Sequence, residues 1–146
     1  MVLRASIACM GEQEADLSTS KLIAIVDDDE GYRTALRNLL MSLGFRVESF
    51  ESASDFLSSA NIRSIACLIA DVHMPNMSGV ELHGHLLTSG YAIPTILITA
   101  YPDDDVQVRA LAAGVICYLS KTSIEDVLLG CIGSALRQSS QAEGGP

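Results

Sequence analysis

Five polar side chains stand at the ends of short apolar runs in this sequence. They are Asp27 and Asp28 after K-L-I-A-I-V, Asp71 after C-L-I-A, Thr99 at the end of P-T-I-L-I-T, and Lys121 after V-I-C-Y-L-S. A carboxylate that follows a buried run carries a desolvation cost, so it either caps a loop or does chemistry. Taken alone, Asp71 fits both roles equally well.

Together these residue types suit phosphoryl transfer, provided that the fold brings them to one place. Three carboxylates within a few ångströms repel one another, and a hard cation with oxygen ligands, Mg²⁺ or Mn²⁺, offsets that repulsion. With a cation bound, the Asp71 carboxylate can attack phosphorus, because carboxylates form acyl phosphates. Lys121 and Thr99 would then stabilise the charge on the phosphoryl oxygens. Each residue also has an ordinary structural role, since an acidic run such as D-D-D-E is typical of a solvated helix start.

The elements that must position these residues alternate five times between strand and helix. Short apolar runs predict strands at 21–26, 45–49, 66–70, 94–99 and 115–119. Apolar stripes at helical spacing predict helices at about 30–43, 52–60, 79–90, 105–113 and from 123 onwards. This alternation predicts a doubly wound α/β fold, with a parallel sheet, helices on both faces and right-handed crossovers. In such a sheet the ligand site lies outside the carboxyl ends of the strands, which would gather the five residues.

Length and composition limit the classes of function. The 146 residues predict one domain over 21–137, with a flexible leader at 1–20 and a flexible tail or linker stub at 138–146. A net charge of -9 and a pI near 4.5 argue against nucleic-acid binding by this domain. No apolar run reaches the ~18 residues of a membrane span, and we expect a cytoplasmic protein.

The cysteines and histidines do not form a metal-binding pattern. The four cysteines are Cys9, Cys67, Cys117 and Cys131. None belongs to a CxxC pair, so we predict reduced thiols that pack as small apolar side chains. His83 and His85 lie two residues apart on a predicted helix and face different sides, which favours solvated surface roles.

Four motifs together resemble the receiver domain of two-component response regulators, the CheY-like superfamily. The motifs are V-D-D-D-E, D-V-H-M-P-N-M-S-G, I-T-A and L-S-K, and the resemblance covers residues 21–137. The segments G-F-R-V-E-S-F-E-S-A-S-D-F-L and C-L-I-A-D-V resemble FixJ-type receivers most closely. The resemblance implies a flavodoxin-like (βα)5 fold with a five-stranded parallel sheet in the order 2-1-3-4-5.

The resemblance also implies roles for the acidic residues. Asp71 would be the phosphoacceptor, and Asp28 and Asp71 would bind Mg²⁺ (or Mn²⁺) directly. Asp27 would act on the metal through water, and the backbone carbonyl of His73 would complete the protein ligands. The His73 side chain would shade the phosphoryl group and tune its hydrolysis.

The remaining implied roles concern a conformational switch and the lysine. Thr99 would be the switch hydroxyl that moves toward the phosphoryl oxygens, and Tyr118 would be the aromatic side chain whose rotamer couples to that movement. One position departs from the family, which usually has a proline in a cis peptide after the lysine, whereas Thr122 follows Lys121. Because a cis bond before a non-proline residue costs ~2.5–4 kcal/mol, we predict a trans Lys121–Thr122 bond and a shifted loop.

The implied function is that of a phosphoacceptor signalling domain. A histidine kinase or phosphotransfer protein would phosphorylate Asp71, and the face of the fourth helix, fifth strand and fifth helix would then signal to a downstream protein, an output domain or a second copy. Such a domain is not an enzyme with an independent substrate. Two alternatives stay open. A pseudo-receiver would only bind partners, and an aspartyl-phosphate phosphatase would need a second acid where the chain has His73.

Overall fold

A computed structural model describes residues 21–122 and 124–144 of the chain, so the leader predicted over 1–20 lies outside the described residues. The predicted alternation of strands and helices is confirmed. The strands are β1 (Leu22–Val26), β2 (Arg46–Phe50), β3 (Ile65–Asp71), β4 (Thr95–Thr99) and β5 (Cys117–Ser120). The helices are α1 (Glu30–Ser42), α2 (Ala53–Leu57), α3 (Gly79–Thr88), α4 (Asp104–Ala112) and α5 (Ile124–Gly144), with a 3₁₀ turn at Ile62–Ser64.

The five strands are parallel and lie in the order β2-β1-β3-β4-β5, as predicted. Successive side chains of a strand point to opposite faces. In β1, Ala24 and Val26 therefore pack with Phe56 of α2, whereas Ile23 and Ile25 pack on the other face. The central strands β1, β3 and β4 are buried along their whole length, which explains their unbroken apolar sequences.

Helices cover both faces of this sheet. One face is covered by α2, α3 and α4, and the other is covered by α1 and α5, whose Leu40 and Ile132 are almost fully buried. Side chains at helix starts accept backbone N–H groups, as Asp29 does from Tyr32 and Ser78 does from Glu81. This arrangement is doubly wound, and it places every strand-to-helix connection at the carboxyl edge of the sheet.

The structure corrects three expectations about the chain's periphery. Leu39 and Leu43, which belong to the predicted apolar stripe of α1, are about half exposed, because Leu36 and Leu40 are the positions that the fold buries. The last helix continues to Gly144, so the first part of the predicted tail is helical. His83 is buried rather than solvated, and its burial lowers the pKa of the imidazole.

The prediction of reduced thiols is wrong for one pair of cysteines. Cys117 at the start of β5 and Cys131 in α5 form a disulfide with a Cα–Cα distance of 6.3 Å. The bond arises because α5 packs back along the strand that precedes it, a tertiary contact that spacing does not reveal. Cys67 is a free, buried thiol, and burial raises its pKa to about 12. Among the described residues, no helix is both long and apolar enough to cross a membrane.

Candidate functional site

Three carboxylates converge at the carboxyl edge of the sheet. Asp27 and Asp28 follow β1, and Asp71 is the last residue of β3, the neighbouring strand. Each of the three residues offers an oxygen within 4.8 Å of the others. Asp27 is completely buried and Asp71 is 5% exposed, whereas Asp28 faces solvent. The predicted acidic cluster is therefore present, with two buried charges and one accessible charge.

Lys121 brings a positive charge to this cluster from the end of β5. Its Nζ lies 2.9 Å from Asp27 Oδ2 and 3.4 Å from Asp71 Oδ2. Its backbone N–H donates to the carbonyl of Thr99, which extends the pairing of β4 with β5. Burial alone would lower the pKa of the ammonium group, but the two carboxylates outweigh this effect and raise it. Lys121 is therefore held as a cation between Asp27 and Asp71.

The Asp71 carboxyl is electrostatically strained without a bound cation. Burial, reinforced by the negative charge of Asp27, raises its pKa to about 6. Lys121 and the backbone N–H of His73, which donates to Oδ1 at 3.3 Å, act in the opposite direction without cancelling the increase. A single ammonium therefore does not neutralise the cluster, which leaves room for a further positive charge.

The loop after β3 is shaped to pass close to Asp71. The backbone N–H of Gly79 donates to the carbonyl of Val72, which closes the loop just before α3 begins. A Cβ atom at Gly79 would lie 2.5 Å from the backbone carbonyl oxygen of Asp71, so only glycine fits there. Asn76 takes a positive φ of 72°, which asparagine tolerates better than most residues. His73 is exposed on this loop, and its ring meets Tyr101 edge-on at 5.9 Å.

The two predicted switch residues lie in separate environments. The buried hydroxyl of Thr99 accepts the backbone N–H of Tyr101 at 3.0 Å. The hydroxyl of Tyr118, one strand away, accepts the backbone N–H of Asp103 at 3.1 Å, at the residue that caps α4. Both residues therefore connect the carboxyl edge of the sheet to the segment that begins α4.

The connection between β5 and α5 confirms the expected trans peptide. No peptide bond within the described segments is cis, which includes the bond between Lys121 and Thr122. The Thr122 hydroxyl lies 2.8 Å from the hydroxyl of Ser120, and the Thr122 N–H donates to the same Ser120 oxygen at 3.2 Å. Thr122 thus forms local contacts that a proline, which has no N–H, could not form.

Two residues of the site were missed in the sequence. Tyr32 in the first turn of α1 places its ring 4.4 Å from the Lys121 ammonium, measured from the ring centroid. Arg33 donates from its guanidinium to the backbone carbonyl of Asp27 at 2.6 Å. The signal available for Tyr32 was an aromatic residue in the first turn of the helix that follows the acids. Its helical spacing led us to assign it to the apolar stripe instead.

The donor set fits a hard divalent cation. Carboxylate oxygens are the ligands that Mg²⁺ and Mn²⁺ prefer, and three of them meet here with an accessible side at Asp28. Repulsion between Asp27 and Asp71 is the kind of strain that such an ion relieves. No cysteine or histidine side chain belongs to this cluster among the described residues, so a softer metal has no ligands in it.

Comparisons with known proteins agree with this geometry. A family model described as "Response regulator receiver domain" matches residues 23–132. The response regulator protein TodT of Pseudomonas putida is 40% identical over 122 residues, which cover 84% of this chain and 54% of TodT. A structure of the response regulator StyR has a TM-score of 0.78 at 41% identity, over 84% of this chain and 62% of that chain.

The expected likeness to FixJ-type proteins is also confirmed. The crystal structure titled FixJ-N has a TM-score of 0.72 at 36% identity and covers 80% of this chain and 93% of that chain. The FixJ protein of Bradyrhizobium diazoefficiens is 33% identical over 126 residues, which cover 86% of this chain and 62% of the relative. The chain thus spans roughly half to two thirds of the length of these curated relatives.

Proposed function

The chain belongs to the response regulator receiver domain family of two-component systems, and on that premise we propose that Asp71 accepts a phosphoryl group. The donor would be a histidine kinase or a phosphotransfer protein. The observation that supports this proposal is the arrangement of Asp71 between the buried Asp27 and the Lys121 ammonium, with Asp28 on the accessible side. A buried, strained carboxylate in such surroundings is a candidate for reaction rather than a loop cap.

Asp28, Asp71 and the backbone carbonyl of His73 would bind Mg²⁺ (or Mn²⁺) directly, and Asp27 would act through water. The ion supplies positive charge that offsets the carboxylates and the phosphoryl oxygens. Positive charge beside Asp71 would favour the ionised, nucleophilic form of its carboxyl, whose pKa burial raises to about 6.

In the proposed step, a carboxylate oxygen of Asp71 bonds to phosphorus while the bond from phosphorus to the donor breaks. The product is an acyl phosphate, and the donor leaves with the bonding electron pair. Lys121 would then pair with a phosphoryl oxygen in place of the Asp71 oxygen that it now contacts at 3.4 Å. The Thr99 hydroxyl would exchange its present partner, the Tyr101 N–H, for a phosphoryl oxygen to which it donates.

Movement of Thr99 would reach the surface through the start of α4. The Thr99 hydroxyl accepts the backbone N–H of Tyr101. The Tyr118 hydroxyl accepts the backbone N–H of Asp103, two residues further along the chain. Releasing the first contact would favour a different rotamer of Tyr118 and so change the face formed by α4, β5 and α5. That face would contact a downstream protein, an output domain or a second copy, and this domain itself would not contact nucleic acid.

We place this signalling domain in the cytoplasm, where histidine kinases present their phosphoryl groups. It would be a signalling component and not an enzyme with an independent substrate. In a cytoplasm whose glutathione and thioredoxin keep most thiols reduced, the Cys117–Cys131 disulfide would be an exception.

The test is phosphoryl uptake from a small donor. The wild-type chain, incubated with acetyl phosphate and Mg²⁺, should gain the mass of one phosphoryl group in an intact-mass spectrum. Asp71→Asn is the matched control because it keeps the shape of the side chain and removes the nucleophile. The gain should be lost in this variant and on adding a chelator. A wild-type chain that gains no phosphoryl group would favour the pseudo-receiver, which binds partners without phosphorylation.

A further inference from the structure

The Lys121 ammonium contacts two different kinds of group. The carboxylates of Asp27 and Asp71 lie 2.9 and 3.4 Å from it. It also lies over the face of the Tyr32 ring, 4.4 Å from the ring centroid. An aromatic face attracts a cation through the ring quadrupole, and the attraction strengthens where water is excluded. The Lys121 side chain is only 13% exposed, so this condition is met.

Tyr32 is itself well anchored. It lies in the first turn of α1, where its backbone N–H donates to the capping carboxylate of Asp29 at 3.2 Å. Its ring packs against the core layer between the sheet and the helices α1 and α5. A lysine has a flexible four-carbon stem and gains a defined position only from such fixed neighbours.

The ring, rather than the hydroxyl, is the part of Tyr32 that makes defined contacts. The Tyr32 hydroxyl oxygen is buried and has no hydrogen-bond partner among the described residues. An unpaired buried hydroxyl is normally unfavourable, so it does not explain why this position carries a tyrosine. The contact of the ring with the Lys121 ammonium does explain why an aromatic side chain lies there.

The residue after Lys121 affects how firmly the backbone positions the lysine. A proline there would restrict the backbone conformation of the lysine, but the chain has Thr122. Thr122 bonds to the side chain of Ser120 rather than to the carboxylate cluster. The position of the ammonium therefore depends on groups from other elements of the fold.

We propose that Tyr32 is a positioning residue, whose ring holds the Lys121 ammonium against the carboxylates of Asp27 and Asp71. The contact itself can be tested without phosphorylation, while its effect on phosphoryl transfer rests on the proposed function. Loss of the ring should slow phosphoryl uptake about five- to thirtyfold, the range that cation–π contacts at shielded sites support.

Three substitutions separate the ring from the hydroxyl and from general destabilisation. Tyr32→Leu removes the aromatic face, and Tyr32→Phe keeps the face and removes only the hydroxyl. Tyr91→Leu is the matched control, because Tyr91 also has a cation over its ring, the Arg63 guanidinium at 5.0 Å. Tyr91 precedes β4 and so lies at the amino edge of the sheet, away from the carboxylates.

The first measurement is the NMR chemical shift of the Lys121 ε-methylene protons in the full chain without metal. The ring current of Tyr32 should move these protons upfield in the wild type, in Tyr32→Phe and in Tyr91→Leu. Tyr32→Leu should return them to the shift of an ordinary lysine. Equal shifts in the wild type and in Tyr32→Leu would overturn the proposal, whether or not the chain accepts phosphoryl groups.

The second measurement is the rate of phosphoryl uptake from acetyl phosphate with Mg²⁺. Tyr32→Leu should be about five- to thirtyfold slower, while Tyr32→Phe and Tyr91→Leu keep the wild-type rate. In a Lys121→Met background, adding Tyr32→Leu should change the rate no further, because the ring acts through the lysine. A loss in Tyr32→Phe equal to that in Tyr32→Leu would overturn the proposal in favour of a role for the hydroxyl. If the wild type takes up no phosphoryl group, the proposed function fails and the NMR result still decides whether Tyr32 positions Lys121.

Discussion

The carboxyl ends of β1 and β3 and the segment from β5 into α5 meet at the same site, but they are held in place differently. Asp27 directly follows β1 and Asp71 ends β3, and both strands are fully buried, so the pairing of Val26 with Ala70 sets the separation of the two carboxylates. The segment from β5 into α5 depends on two contacts made by packing, the disulfide of Cys117 with Cys131 and the ring of Tyr32, from α1, over Lys121. The acidic cluster is thus a property of the sheet, and the position of the lysine is a property of tertiary packing.

The largest expected effect on stability comes from the disulfide between β5 and α5. Reducing the Cys117–Cys131 disulfide should lower the free energy of unfolding by about 3 kcal/mol, the value for a closed loop of roughly 15 residues. Urea unfolding followed with and without a reductant measures the difference. The variant Cys117→Ser is the control, since its stability should not respond to the reductant. Equal unfolding midpoints for oxidised and reduced wild type would contradict a stabilising cross-link between β5 and α5.

A glycine substitution tests how closely the backbone packs beside Asp71, at the carboxyl end of β3. Gly79→Ala should destabilise the chain by about 2 kcal/mol, because the added methyl group meets the backbone carbonyl of Asp71. Gly84→Ala in the same helix meets nothing within 4 Å and should stabilise it by about 0.5–1 kcal/mol. Both values come from urea denaturation of the two variants. Equal changes in the free energy of unfolding for the two variants would contradict a close approach of Gly79 to the Asp71 carbonyl.

The smallest expected effect concerns pH and the strain on Asp71. Because the pKa of Asp71 is raised to about 6 in the fold, the folded state binds more protons than the unfolded state between pH ~4 and ~6. The free energy of unfolding of the metal-free chain, measured relative to that of an Asp71→Asn variant, should therefore decrease as pH rises through this window and then level off.

Asp71→Asn removes this titration and should leave the metal-free chain more stable at pH 7, by on the order of 1 kcal/mol after allowance for solvent near the site. Mg²⁺ should stabilise the wild type more than this variant, because only the wild type has all three carboxylates. Thermal unfolding at several pH values, with and without Mg²⁺, gives both comparisons. A stability difference between the wild type and Asp71→Asn that did not change from pH 4 to pH 7 in the absence of metal would show that the pKa of Asp71 is not raised.

The sequence predicted the region held by the sheet and did not predict the contacts that depend on tertiary packing. Apolar runs and helix stripes were sufficient for the order of the elements, and the rule for parallel sheets was sufficient to bring Asp27, Asp28 and Asp71 together. The Cys117–Cys131 bond and the Tyr32–Lys121 contact join residues whose proximity depends on how helices pack on the sheet. No local sequence pattern indicates how these helices pack.

Burial of single side chains was also beyond the sequence. His83 is buried although a helical wheel allows either face, and Leu39 and Leu43 are exposed although they continue the apolar stripe of α1. The width of a helix's buried stripe depends on what covers its edges, which the sequence of that helix does not contain.

Locating the phosphoryl group within the chain is the most direct test of Asp71 as the phosphoacceptor. After brief treatment with acetyl phosphate and Mg²⁺, peptide mapping by mass spectrometry should find one acyl phosphate, on the peptide that contains Asp71. The peptide that contains Asp27 and Asp28 should carry none. A phosphoryl group on Asp27 or Asp28, or one retained in Asp71→Asn, would contradict the assignment of Asp71 as the phosphoacceptor.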